Sequence, residues 1–150
     1  MVESSVNVDY HNVVIYGNTA KTNGGVISMT SGNIVLENSL IYDNTATNNG
    51  GMAYIAGGNF TMNSGYLGLE SDDLNNTRGN TSTTGAGGAL YISEGSVTIN
   101  GGYLSNNVSS TSDGGGIYVT GGSFVMNDGI INKNSAVNGG GVFVNGGNIT

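Results

Sequence analysis

GGGIYVTGGSFVMNDGIINKNSA, residues Gly114 to Ala136, is one turn of a repeat onto which the rest of the chain can be laid. Aligned on Phe124, the matching apolar positions are Val8, Ile34, Phe60, Val97 and Ile149, and successive members of the series lie 26, 26, 37, 27 and 25 residues apart. A period near 26 with one long member marks a solenoid, in which each repeat buries its apolar face only against its neighbours.

A glycine pair opens each repeat: Gly24-Gly25, Gly50-Gly51, Gly87-Gly88, Gly114-Gly115 and Gly139-Gly140. Behind it come Ile27-Ser28-Met29, Ala53-Tyr54-Ile55, Leu90-Tyr91-Ile92, Ile117-Tyr118-Val119 and Val142-Phe143-Val144. Side chains alternate along a strand, so the apolar outer members point inward and the middle members outward. A turn follows with glycine in one column, Gly32, Gly58, Gly95, Gly122 and Gly147, which predicts a left-handed or crowded backbone there. A second strand is Ile34-Val35-Leu36, Phe60-Thr61-Met62, Val97-Thr98-Ile99 and Phe124-Val125-Met126. Val8-Asp9-Tyr10 fits that column in a first, partial coil, where Val6 replaces the glycine and predicts an irregular edge. A third, shorter strand is anchored by Ile15, Ile41, Leu67, Leu104 and Ile131. Just beyond it stand Asn18, Asn44, Asn80, Asn107 and Asn134, a single column that predicts a ladder of amides along the stack.

The repeat between Phe60 and Val97 carries an insertion at 68–78, around GLESDDLNNTR, and the pattern resumes at Gly79-Asn80-Thr81. An insertion at one corner leaves the stack intact and projects a loop. The expected fold is all-β: a right-handed parallel β-helix of about five to six coils with three short strands each, forming one domain over residues 1–150. An antiparallel sandwich would show turns every ~8–12 residues without a conserved register. A helical fold is opposed by the glycine and β-branched content.

Composition narrows the function. Glycine is 28 of 150 residues and proline is absent, which excludes collagen and proline-rich disorder. A net charge of −7, with only Lys21, Arg78 and Lys133 as strong bases, argues against nucleic acid and anionic membrane as partners. No stretch is apolar enough to insert in a bilayer, and MVESSVNV lacks the basic-then-apolar pattern of a signal peptide. Met1 falls inside a repeat, so the chain reads as a segment of a longer polypeptide. Cysteine is absent, as suits an extracellular solenoid stabilised by stacking.

The GGALY block at Gly87 to Tyr91 and the F-x-x-N blocks Phe60–Asn63 and Phe124–Asn127 resemble adhesin-like right-handed β-helix repeats. Such repeats are found in chlamydial-type polymorphic outer-membrane proteins and in large surface proteins of gut bacteria and methanogens. Val97–Asn100 and Ile34–Glu37 depart from F-x-x-N. The resemblance spans nearly the whole chain and implies a surface-exposed or secreted passenger, an adhesin or a stalk.

Chemistry-bearing residues are sparse. Of the ten carboxylates only Asp72 and Asp73 are adjacent, and the single histidine, His11, reads as a surface residue, so no catalytic site and no cofactor is assigned. Glu70, Asp72, Asp73 and Asn75 offer hard oxygens to calcium, but the repeated G-G-x-G-x-D pattern is missing, and a solvated loop with no assigned metal is the reading adopted. Of the sequons at Asn59, Asn75, Asn80, Asn107 and Asn148, Asn75 is the best glycosylation candidate. The outward column Tyr54, Tyr91, Tyr118 and Phe143, headed by Ser28, predicts ring-on-ring packing first and a binding or self-association face second. Tyr66 and Tyr103, with Leu40 and Ile130, form a lesser column.

The expected function is a non-enzymatic structural or adhesive segment of a cell-surface or secreted protein. Its partners would be itself, through coil-on-coil stacking, or surface glycans and proteins. A head-to-tail extracellular filament subunit is the alternative, since both termini fall at nearly the same phase of the repeat. A polysaccharide-binding or polysaccharide-degrading β-helix is the lesser one.

Overall fold

The computed structural model describes residues 7–69 and 78–150. Over these residues the chain is an all-β solenoid of about five turns, with its strands stacked in parallel. The apolar alignment is the structural register. Val8 pairs with Ile34, Ile34 with Phe60, Phe60 with Val97, Val97 with Phe124 and Phe124 with Ile149. Each step of sequence near 26 residues is therefore one step along the axis.

Three sheets line the coil. The large sheet has nine strands, the second has five and the third four. The large sheet holds both the first and second expected strands of each coil. In two coils these merge into continuous strands, Ala53–Met62 and Leu90–Ile99. They remain separate where Ile27–Met29 precedes Asn33–Glu37 and where Ile117–Val119 precedes Ser123–Met126. The merged strands shift register between Ile92 and Glu94 and again between Glu94 and Ser96. Gly58 and Gly95, both at φ +81°, sit at that bend. A left-handed glycine turns the chain through a bulge without breaking the ladder on either side.

The five-stranded sheet is the third expected strand: Val14–Tyr16, Ser39–Tyr42, Gly65–Leu67, Tyr103–Ser105 and Ile130–Asn132. The four-stranded sheet was not expected from the sequence. It consists of two-residue strands immediately after the asparagine column: Thr19–Ala20, Thr45–Ala46, Thr81–Ser82 and Val108–Ser109. Its inward residues, Ala46, Ser82 and Ser109, are small, so no hydrophobic alternation announces it.

The core is a set of columns along the axis. Ala53, Leu90 and Ile117 stack in one, Phe60, Val97 and Phe124 in another, and Ile41, Leu67 and Leu104 in a third, all buried. Full burial of a side chain such as Phe60 contributes about 1.5–3 kcal/mol. The glycine pairs close the corner: a Cβ on Gly51 would lie 2.1 Å from the Gly88 carbonyl oxygen, and one on Gly88 the same distance from that of Gly115. The backbones there pack too closely for any side chain.

The 68–78 insertion leaves the stack through an antiparallel bridge between Leu69 and Arg78. Val6 and residues 70–77, including the carboxylates considered for calcium and the Asn75 sequon, lie outside the described residues.

Candidate functional site

The outward middle residues of the large sheet form the ring column expected from the sequence. Tyr54, Tyr91, Tyr118 and Phe143 are register partners, and each ring stacks on the next. Centroids are 5.3 Å apart for Tyr54–Tyr91 and 5.2 Å for both Tyr91–Tyr118 and Tyr118–Phe143, with interplanar angles of 19°, 10° and 10°. The strand spacing of ~4.8 Å imposes this, because in-register parallel strands place identical side chains directly over one another. Stacking has a chemical consequence. Each inner ring has both faces covered by its neighbours, so the column presents ring edges and tyrosine hydroxyls to solvent.

Two further ring pairs lie on the five-stranded sheet. Tyr66 and Tyr103 stack at 4.8 Å and 6° between Leu40 and Ile130 in register. Tyr16 and Tyr42 stack at 5.3 Å and 6°, a pair the sequence reading missed although its 26-residue spacing is that of the repeat. The next residue in the Tyr42 column would come from the strand containing Leu67, where the chain continues as Gly68 and supplies no ring. The guanidinium of Arg78 lies over the Tyr42 ring instead, 5.5 Å from its centroid, and its Nε is 3.3 Å from Asp43.

The asparagine column is a continuous ladder. The side-chain amide of Asn18 donates to Oδ1 of Asn44, Asn44 to Asn80, Asn80 to Asn107 and Asn107 to Asn134, at 2.9–3.0 Å. Each accepting Oδ1 also takes the backbone N–H of the preceding asparagine, at 2.9–3.3 Å. The second amide hydrogen goes to a main-chain carbonyl: Ile41 for Asn80, Leu67 for Asn107 and Leu104 for Asn134. Asn44, Asn80 and Asn107 are fully buried. The residue before each rung is left-handed in four of the five coils, at Gly17, Asp43, Asn106 and Lys133. That bend turns the asparagine side chain into the coil. The sequons at Asn80 and Asn107 are thereby sealed inside the stack, whereas Asn59 and Asn148 are exposed.

Amide columns also run along the outside of the large sheet. Asn33 donates to Asn7 and Asn59 to Asn33, both at 2.7 Å. Asn100 donates to Asn63 at 2.9 Å and Asn127 to Asn100 at 2.8 Å. The fourth residue of F-x-x-N is thus a rung, which the motif alone did not reveal. His11 and Glu37 occupy the same column in the first coils and pair at 3.2 Å. Among the described residues no three His, Asp or Glu side chains come close enough to hold a metal ion.

This geometry is that of a β-helix repeat protein, a solenoid whose surface is drawn in columns one residue wide. Residues 12–30 match the Chlamydia polymorphic membrane protein (Chlamydia_PMP) repeat. The matched segment holds Ile15, the first ladder rung Asn18, the Gly24-Gly25 pair and the Ile27–Met29 strand. With the parallel solenoid, the match supports a β-helix repeat protein of the polymorphic-membrane-protein type, and suggests a surface or outer-membrane protein. No curated protein and no solved structure matches the chain.

Proposed function

We propose that the chain is a non-enzymatic, adhesive segment of a cell-surface or secreted protein, a stiff rod that presents its outer columns to glycans or proteins on an opposing surface. The observation that carries this reading is the ring column Tyr54–Tyr91–Tyr118–Phe143 on the outer face of the large sheet. Core hydrophobicity does not require rings at outward positions; a threonine column would satisfy the strand equally well. The rings place apolar edges and hydroxyls in one line, with Ser96 and Ser123 continuing the Asn33–Asn59 column along the same face and the exposed Glu94 three residues beyond Tyr91. That combination suits aromatic-rich recognition with a polar rim. The polymorphic-membrane-protein repeat match supports a surface location.

The test is retention of the labelled chain on intact cells and on immobilised surface glycoproteins, before and after glycosidase treatment. A variant carrying Tyr91→Thr and Tyr118→Thr is compared. The expected result is retention that falls at least tenfold in the variant while the fold persists. Retention equal in both proteins, or none on any surface, overturns the reading.

A further inference from the structure

The chain has eight tyrosines, and seven of them stack on another tyrosine one coil away. Tyr66 and Tyr103 are the closest pair, at 4.8 Å and 6°. Tyr16 and Tyr42 stack at 5.3 Å, and Tyr91 stands between Tyr54 and Tyr118 at 5.3 and 5.2 Å. The eighth, Tyr10, is paired in register with Leu36 and packs against the core. Phenols are thus held face to face wherever they reach the outside of the coil.

A phenol that loses one electron and its O–H proton becomes a phenoxyl radical, with part of the unpaired spin on the ring carbons ortho to the oxygen. Two such radicals join at those carbons when they meet. In two nearly parallel rings related by a translation, equivalent carbons lie as far apart as the centroids, so the ortho carbons of Tyr66 and Tyr103 are about 4.8 Å from one another. Closing that gap needs only a swing of the two side chains. Tyr66 is 36% exposed and Tyr103 half-buried, and exposed side chains change rotamer in about ps–ns. The strand register meanwhile holds the two rings together as an intramolecular pair. Cysteine is absent, so no disulfide can tie one coil to the next.

We infer that the stacked tyrosines, Tyr66 with Tyr103 foremost, are sites of oxidative coupling to dityrosine, a cross-link that joins adjacent coils covalently. The oxidant is hydrogen peroxide acting through a haem peroxidase. One peroxide takes an electron and a proton from each of two phenols and leaves as two waters. The radicals form one carbon–carbon bond between ortho positions. The hydrogen on each joined carbon then passes to its oxygen as a proton, restoring both phenols, and the product is two hydrogens lighter than the reactants. Tyr66 and Tyr103 lie between Leu40 and Ile130, so each has a single partner. Tyr91 can couple to Tyr54 or Tyr118, but Tyr118 cannot couple to Phe143, which has no hydroxyl to oxidise. The inference requires only the stacks and is independent of the adhesive reading.

The experiment treats the whole chain, at high dilution, with a haem peroxidase and one equivalent of hydrogen peroxide. Dityrosine fluorescence, a denaturing gel and mass mapping of proteolytic fragments follow the product. The expected result is a cross-link within one chain, with the Tyr66 and Tyr103 peptides joined and two hydrogens lighter, and with Tyr10 unchanged. Tyr66 and Tyr103 are 37 residues apart, and closing a loop of that length should raise the melting temperature on the order of 10 °C. Tyr103→Phe keeps the ring and removes the phenol, and is expected to lower coupling at Tyr66 at least tenfold while the circular dichroism spectrum stays the same. The same oxidation in urea, where the stacks are gone, is expected to spread coupling over all eight tyrosines. Cross-links only between chains, none at all, a Tyr10 that couples as readily as Tyr66, or an identical pattern in urea would each overturn the inference.

Discussion

Asn80 and Asn107 are 27 residues apart in sequence and one coil apart in space, and the side-chain amide of Asn80 reaches Oδ1 of Asn107 at 3.0 Å with both residues fully buried. The same oxygen accepts the Asn80 backbone N–H at 2.9 Å, and the Asn107 amide goes on to Asn134 and to the Leu67 carbonyl. Every polar atom of the Asn107 side chain is satisfied, and each partner needs it.

Asn107→Ala should therefore cost far more than one hydrogen bond. It takes the side-chain partner from the Asn80 N–H and the Leu67 carbonyl inside the coil, and removes one of two bonds from the Asn80 amide, which keeps the Ile41 carbonyl, and from the Asn134 oxygen, which keeps the Asn107 N–H. At about 1–3 kcal/mol for a buried polar group left unpaired, a net loss of about 3–4 kcal/mol is expected. Asn18→Ala removes a rung that is exposed, and should cost less than about 1 kcal/mol. Urea denaturation of both variants checks the ratio. Equal costs would mean that the ladder is ornament on a coil held by its apolar columns.

Gly17 and Gly88 separate two reasons for glycine. Gly17 has φ +70° with nothing within 4 Å of an added Cβ. Gly17→Ala should cost only backbone strain, about 1–2 kcal/mol. A Cβ on Gly88 would meet the Gly115 oxygen at 2.1 Å and the Val108 nitrogen at 2.5 Å, both main chain in the next coil. Gly88→Ala forces adjacent coils apart, and a loss above about 4 kcal/mol is expected. Thermal melts followed by circular dichroism distinguish the two. A mild Gly88→Ala would show that the coils can slide.

The columns were legible because parallel in-register stacking converts sequence period directly into contact. Phe60, Val97 and Phe124 could be superposed by counting, and so could Tyr91 and Tyr118. Legibility failed where side chains carry no hydrophobic signal. The Thr81–Ser82 strand points a serine inward, so alternation could not mark it. The merging of strands in Ala53–Met62 depends on a glycine bend that reads equally well as a turn. The cover on Tyr42 was out of reach for another reason. Arg78 arrives from the insertion neck, outside the 26-residue register that made everything else countable.

Ring stacking should be graded by position in the column. Tyr118 has a ring on each side, and Tyr54 has one. At about 0.5–1.5 kcal/mol per stacked pair beyond burial, Tyr118→Ala should lose roughly twice the stacking term of Tyr54→Ala. Replacement by threonine, which suits the strand, isolates that term from backbone propensity. Equilibrium denaturation of Tyr54→Thr and Tyr118→Thr measures it. A larger loss at Tyr54 would contradict additive stacking.

Arg78 engages Tyr42 and Asp43 at once, and the two contacts can be weighed against each other. The ion pair joins side chains that are 44% and 36% exposed, so solvent screens it and its contribution is small. The guanidinium over the ring adds about 0.5–1 kcal/mol, and salt weakens it less. Asp43 is left-handed at φ +54°, a conformation asparagine also tolerates, so Asp43→Asn removes the charge without straining the turn. Arg78→Ala should thus destabilise more than Asp43→Asn, and the difference should survive in concentrated salt. Arg78→Lys keeps the charge but offers no planar face to the ring, and should resemble the alanine variant. If Asp43→Asn and Arg78→Ala prove equal, and both effects vanish in salt, Arg78 is held by charge alone.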